Sequence, residues 1–422
     1  MKTLLIAAFT VILTFSATAG EWTWTNLLSG GAYSYWHQDG LWVPAGYPHQ
    51  IDDVAVLVDL DDNTVEREIR IDNEYFTCSV VRCTADTNRY QIDLHVYRPD
   101  ALYMESSSGN AQIIVDDQYS GDGTPALLFT GHNLTFLSDT DIIVSDQNAR
   151  IQIDSTLGGS GAVNKYGPGQ FSKSGIDEGY TGTLTIHDGY VRCNNPNAFS
   201  NANAVVVKNG CWLYFNYGNG VGWVTDTPLV FEDGWLANEG NTTGPYKTFR
   251  DITVNSALNV SSKWYDTVFD GSIAGTGTVY VHKRPFYVFA DVMPGFSIGD
   301  LTFRRVDGTF YFGTNGNPAT IHIEVGGGTS DRILFENMNA DIDLANVDVV
   351  FDGSGNQGAT NWFLLSNRIT TDSEFNNVSA EPGTIVVDVI YDYDNDMVGA
   401  VIMPEPAIFG LLLVGAALLK RR

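Results

Sequence analysis

Cysteine is scarce, at four residues in 422, and no Cys-x-x-Cys pair occurs, which argues against a thiolate zinc site. Cys78 and Cys83 stand five apart, about 16 Å if extended. Cys193 and Cys211 look like a staple between successive turns of chain. If Asp188-Gly189 stacks on Asn209-Gly210, however, Cys193 lies over Tyr214, roughly 10 Å from a disulfide position. Positive charge is also short: 23 Lys and Arg face 50 Asp and Glu, for a net charge of −27. Such a surface repels nucleic acid and anionic lipid, so no nucleic-acid partner is expected. It suits an exported, soluble surface, with cation or polycation binding as the alternative. Sustained helical periodicity is missing from the body of the chain. The seven histidines form no His-Glu-x-x-His pair, and neither a Gly-x-Ser-x-Gly elbow nor a phosphate loop is present. No catalytic, cofactor-binding or metal-binding residue is therefore expected. His282-Lys283-Arg284 and Arg304-Arg305 are the few basic clusters and read as surface, with contact to an acidic sugar as the alternative.

What the chain does have is glycine, hydrophobic residues and a rhythm. Gly is 43 of 422, above the usual ~7%, and 44% hydrophobic content excludes a disordered chain. Short apolar runs centre on Leu184, Val206, Leu229 and Ile252, and a second set on Val191, Leu213, Leu236 and Leu258. The steps are 22 or 23 residues, and Asp188-Gly189, Asn209-Gly210, Asp233-Gly234 and Asn255-Ser256 sit between the two sets. A fixed period in the twenties marks a solenoid, in which one coil cannot bury its inner face and stacked coils can. Spacings near 20 (Leu94, Ile114, Leu134, Ile153) extend the pattern upstream. Gly182–Ile186, Gly277–Val281, Gly299–Phe303 and Gly383–Val387 share one template of corner glycine and alternating apolar residues. These features predict an all-β chain, a right-handed parallel β-helix from about 21 to 400, its hand following the chirality of parallel crossovers.

The flanks carry different signals. Met1–Ala19 reads as a secretory signal: Lys2, a 12-residue apolar run Leu4–Phe15, and the small residues Ala17 and Ala19 at a cleavage site. Residues 20–75 are rich in aromatics, with Trp22, Trp24, Tyr33, Tyr35, Trp36 and Trp42. They predict a hydrophobic cap with the first coils, or alternatively a sugar-stacking platform; the solenoid body follows over 76–402. At 403–422, Pro404-Glu405-Pro406 precedes 13 apolar residues and Lys420-Arg421-Arg422. Thirteen residues reach about 20 Å as a helix, short of a ~30 Å hydrocarbon core, and the basic end stays on the cytoplasmic side.

Gly159-Ser-Gly161, Tyr180–Ile186, Ala204–Val207 and Asn209–Phe215 resemble the passenger-associated transport repeat of autotransporter-type surface proteins. Met293–Phe303, Thr329–Phe335 and Trp362–Ser366 resemble later coils of such passengers, so the resemblance spans about 150–410. It implies a right-handed β-helix at the cell surface. The tail is similar to the PEP-CTERM sorting signal, which implies bacterial export, transient membrane insertion and processing by an exosortase-type protease.

Two acidic patterns complete the reading. Asp188, Asn209 and Asp233 would stack near one corner, where carboxylates can hold Ca²⁺ or act as an acid/base pair; Asp-Gly and Asn-Gly are also plain turn dipeptides. Asp392, Asp394 and Asp396 open like a calcium loop, but its sixth and twelfth places are Met397 and Met403, which leaves a looser Ca²⁺ site or a solvated turn. The expected function is an exported, adhesin-like surface or matrix structural protein of a Gram-negative-type bacterium, with exopolysaccharide or other surface proteins as partners. The alternatives are a β-helix polysaccharide lyase or hydrolase, and a carbohydrate-binding module centred on Trp22–Trp42.

Overall fold

The computed structural model describes residues 19–404, except 26–33, 39, 59–65, 72–74, 85–88, 95–100, 117–124, 132, 217–222, 239–246, 264–265, 295–297, 327–328, 340 and 354–359. Three sheets, of twenty, sixteen and five strands, carry the fold. The chain visits them in turn. Thr140–Val144 lies in the first sheet, Arg150–Ile153 in the second and Leu157–Gly159 in the third. Val163–Tyr166 then returns to the first and pairs in parallel with Thr140–Val144. This is a parallel β-helix with a three-sided coil.

Alternation produces the core. On the first sheet, Ile113, Ile142, Lys165, Ile186, Val207, Phe231 and Val254 occupy one inward ladder, paired rung by rung. On the second, Tyr90, Leu127, Ile151, Phe171, Val191, Leu213, Leu236 and Val260 do the same. The buried apolar residues form one continuous cluster, and each rung satisfies the backbone groups of its neighbours.

The register corrects the period in detail. Leu184 pairs with Val205, not Val206, and Leu236 with Val260, not Leu258. Cys193 lies over Phe215 rather than Tyr214; all four cysteines are free and buried. Run centres cannot detect a one-residue slip, whereas the pleat does, because a slip turns every side chain to the other face. The upstream series near 20 is not one ladder. Leu94 and Ile153 lie in the second sheet, Ile114 in the first and Leu134 in the third. The true step there is wider: Val81 pairs with Ile113 and Ile113 with Ile142. The glycine template likewise recurs on different sides of the coil, because any corner followed by a strand satisfies it.

The third side changes construction along the axis. Its separate sheet ends at Asp177–Tyr180. The next coil turns through 194–203 without a strand, burying Ala198 and Phe199. The Asn201 side-chain amide donates to the Asp177 carbonyl at 2.9 Å, and the Thr227 hydroxyl donates to the Phe199 carbonyl at 2.9 Å, tying that turn to the rungs on either side. From Trp223–Thr225 onward the side is rebuilt from the first halves of the bent strands Lys247–Val254 and Thr267–Ala274, then Phe286–Val288 and Phe310–Phe312.

Both ends depart from parallel pairing. Glu21–Trp24 pairs in parallel with Val54–Leu57 and antiparallel with Trp42–Val43. Trp22 and Trp24 share one face, set against Ala55 and Leu57, and Trp24, Trp36 and Trp42 are fully buried. Their rings meet at 4.8 and 5.1 Å, and the Trp36 and Trp42 indole N–H groups donate to the Pro48 and Trp36 carbonyls at 2.7 Å. Trp24, Trp36 and Trp42 form the interior of a cap and offer no face for stacking a ligand; Trp22 and Tyr35 are half-buried, and Tyr33 lies outside the described residues. At the other end Thr360–Ser366 pairs antiparallel with Met397–Pro404, which pairs antiparallel with Thr384–Asp392. The parallel body expected to about 400 therefore finishes earlier, under a hairpin that contains the Gly383–Val387 template. Ala19 and Pro404 are the outermost described residues; Ala17, Glu405, Pro406, Lys420, Arg421 and Arg422 lie outside them.

Candidate functional site

The acidic patterns resolve into turns. Asn209 is at positive φ (55°), and its amide donates to the His187 carbonyl at 3.2 Å. The Asp188 carboxylate accepts its own turn's Gly189 N–H at 2.7 Å. Asp392 accepts from the backbone and side chain of Asn395 at 3.2 and 2.8 Å, and Asp396 accepts from Ile369 N–H at 2.7 Å, which places the run 392–396 in the hairpin bend. Among the described residues no three His, Cys, Asp or Glu converge as a metal site. The basic clusters are surface groups: Arg304 meets Glu336 at 3.5 Å, and Arg284 donates to the Lys263 carbonyl at 3.3 Å.

Charge does enter the core, at positions that composition and motif did not flag. Lys165 takes the inward place between Ile142 and Ile186 and is fully buried. Its Nζ donates to the carbonyls of Tyr166, Gly167 and Asp188 at 2.9, 2.6 and 3.2 Å. Burial pushes its pKa down to about 8. Lys247, also buried, donates to the Phe215 carbonyl at 2.8 Å, and burial lowers it to about 7. Lys173 and Asp177 form a fully buried pair at 3.3 Å; burial raises Asp177 to about 7 against the pull of Lys173, and lowers Lys173. Ammonium groups held by corner carbonyls fasten neighbouring coils. That is a structural role.

The outer face of the second sheet carries an aromatic file. Tyr190, Trp212 and Trp235 occupy one outward register. Trp212 stacks on Trp235 at 4.4 Å and on Tyr214 at 5.2 Å, with planes within 12°. Trp235 reaches His282 at 5.1 Å, crossing the small residues Ala237 and Ser261, which are buried. These rings cover one another's faces and seal the sheet.

A cavity of about 200 Å³ opens between two coils of the third side, walled by Tyr311, Thr314, Asn315, Asp341, Asp343 and Asn346 with Phe310 and Phe312 behind. Alternation in Phe310–Phe312 turns the two phenylalanines inward and Tyr311 outward, 37% exposed. Tyr311 stacks on Tyr287 of the preceding coil at 4.8 Å, planes 10° apart. That strand pairs with Phe286–Val288 but with no strand of the following coil among the described residues. The following coil passes at Asp341–Asp343, where Ile342 bridges forward to Ile369 instead. The two coils close again at Gly313, at φ +65°, where a Cβ would stand 2.0 Å from the Asn346 carbonyl oxygen. Asp343 caps the short 3₁₀ turn Leu344–Asn346 and accepts from Ala345 N–H, Ser373 Oγ–H and Asn346 Nδ2–H at 3.1, 2.8 and 2.9 Å. Arg368 holds Asp341 Oδ1 at 2.7 Å.

None of these wall residues was singled out from the sequence. The signal was there in the pair Phe-Tyr-Val at 286–288 and Phe-Tyr-Phe at 310–312, a repeated outward tyrosine between inward phenylalanines. No protein-family model, curated protein or solved structure matches this chain.

Proposed function

We propose that the protein is an exported bacterial surface or extracellular-matrix scaffold, released or anchored through processing at Pro404-Glu405-Pro406 by an exosortase-type protease. The observation that supports this reading best is the single core of stacked coils, closed by an aromatic cap at one end and an antiparallel hairpin at the other. Such a body is a long, rigid surface with its hydrophobic interior sealed. The acidic surface suits export, and the signals at 1–19 and 403–422 suit delivery to the outside. The test is the intact mass and cell fraction of the natural product. Loss of residues 1–19 and of the apolar tail from extracellular material supports the proposal; an uncut chain retained in the cytoplasm overturns it. The rival lyase or hydrolase reading is checked separately. Incubation with neutral and acidic polysaccharides, with and without Ca²⁺, yields no new reducing ends or unsaturated products if the shaft is a scaffold.

A further inference from the structure

The opening between the coils at Tyr311 has the dimensions and the chemistry of a ring-binding slot. An engineered cavity of about 150 Å³ accepts benzene, so about 200 Å³ admits a six-membered ring with substituents. Tyr311 stands one coil above Tyr287 in a parallel stack, and the next place along that axis, where a third rung would pair, is empty of strand among the described residues. A flat, hydrogen-bonding ring entering there continues the stack. The rim matches hydroxyl groups. Asn346 gives its Nδ2–H to Asp343 and keeps its side-chain carbonyl as an acceptor. Arg368 engages Asp341 Oδ1 and leaves Oδ2 to accept. Thr314 and Asn315 supply further donors and acceptors at the mouth. The wall holds two carboxylates and, among the described residues, no lysine or arginine; the nearby Arg368 is already paired with Asp341, so an anionic ligand meets two carboxylates and has to compete with one of them for the neighbouring cation.

We propose that this slot binds an uncharged pyranose unit of a polysaccharide, its apolar face against Tyr311 and its hydroxyls on Asp341, Asn346 and Asn315. The inference deepens the scaffold reading by naming a class of partner, but binding in solution is independent of how the protein is exported.

Affinity electrophoresis of the full secreted chain through gels containing soluble glucan, galactan or mannan, with polygalacturonate as the acidic comparison, tests it. Retardation by at least one neutral polymer is expected, with little or none by the polyuronate. Tyr311→Ala should weaken the apparent affinity at least tenfold. Tyr166→Ala, an exposed ring stacked on His187 on another side, should leave it unchanged. Asn315→Ala, an exposed rim change, should weaken binding and stands in if Tyr311→Ala fails to give a wild-type circular dichroism spectrum. Absence of retardation in all neutral gels, equal retardation by polyuronate, or wild-type retardation of a folded slot variant overturns the proposal. Failure here leaves the export and processing test untouched.

Discussion

Lys165 stands where a branched aliphatic stands in the coils on either side. Its stem fills that place, and three carbonyls at neighbouring corners take the charge that water would otherwise hold. The folded pKa values of Lys165 and Lys247, about 8 and about 7, lie below the unfolded lysine value of roughly 10.4. At these two lysines the unfolded chain therefore binds more protons between those values, so their contribution to stability rises as pH climbs from about 7 to about 10.4. For Lys165 the rise is at most on the order of 3 kcal/mol, since the carbonyls favour the charged form. Asp177 works the other way below that window. Its folded value of about 7 exceeds the unfolded ~3.9, so stability falls as pH climbs between them. Thermal melts across pH ~7 to ~8.5, below the range in which burial of Cys78, Cys193 and Cys211 opposes the trend by raising their thiols above the unfolded value of roughly 8.5, should show a rising midpoint in the natural protein and a flatter profile in Lys165→Met/Lys247→Met; identical profiles would refute the assignment. In Val163-Asn-Lys-Tyr166, alternation puts Lys165 in the inward phase, yet its type reads as surface. Only the folded corners reveal the carbonyls that hold it.

Strands and corners decide which local changes the coil tolerates. Gly275 sits at φ +112°, and a Cβ there would lie 2.2 Å from the Val254 carbonyl oxygen in the coil below. Gly210 has a similar left-handed φ of +73°, but a Cβ there would meet no atom within 4 Å. Gly210→Ala should therefore cost only the ~1–2 kcal/mol of backbone strain, whereas Gly275→Ala adds a backbone collision and should cost several kcal/mol more than that, or fail to fold. Chemical denaturation of the two variants measures the gap; equal losses would contradict the close approach. At the first coil, Trp36 is fully buried, its N–H on Pro48 and its ring against Trp42 and Phe76. Trp36→Ala should cost about 3–5 kcal/mol in the same assay, and a near-neutral change would restore the idea of an exposed platform. Alternation and turn dipeptides were legible here because each strand states them locally. The bent strand Lys247–Val254 was not, since Arg250-Asp251 interrupts its alternation at the bend between two sides.

Taken as one body, the molecule behaves as a stack with neighbours only above and below. Removing the antiparallel pair from the sixteen-strand sheet leaves fourteen parallel rungs, about 62 Å of axis at ~4.8 Å per rung. Stability in such arrays spreads by nearest-neighbour contact, so opening begins at the poles. Amide exchange should be slowest in central rungs such as Val163–Tyr166 and faster in Glu21–Trp24 and Thr384–Asp392; uniform protection would argue against that picture. The parallel class and the 22–23-residue rhythm were readable because every coil repeats them. The slot at Tyr311 was not, because it arises from a pairing that fails between segments about 30 residues apart, and no single stretch records a missing partner.

The reversal of chain direction at Met397–Pro404 has a further consequence for how the protein can change in length. A rung running the wrong way offers no template on which to wind another turn, so tandem duplication cannot lengthen this shaft from its far pole. Growth by gain of repeats has to occur between the two plugs. An inserted copy of one middle circuit should be accommodated, while the same segment appended after the hairpin should hang loose and be clipped by protease.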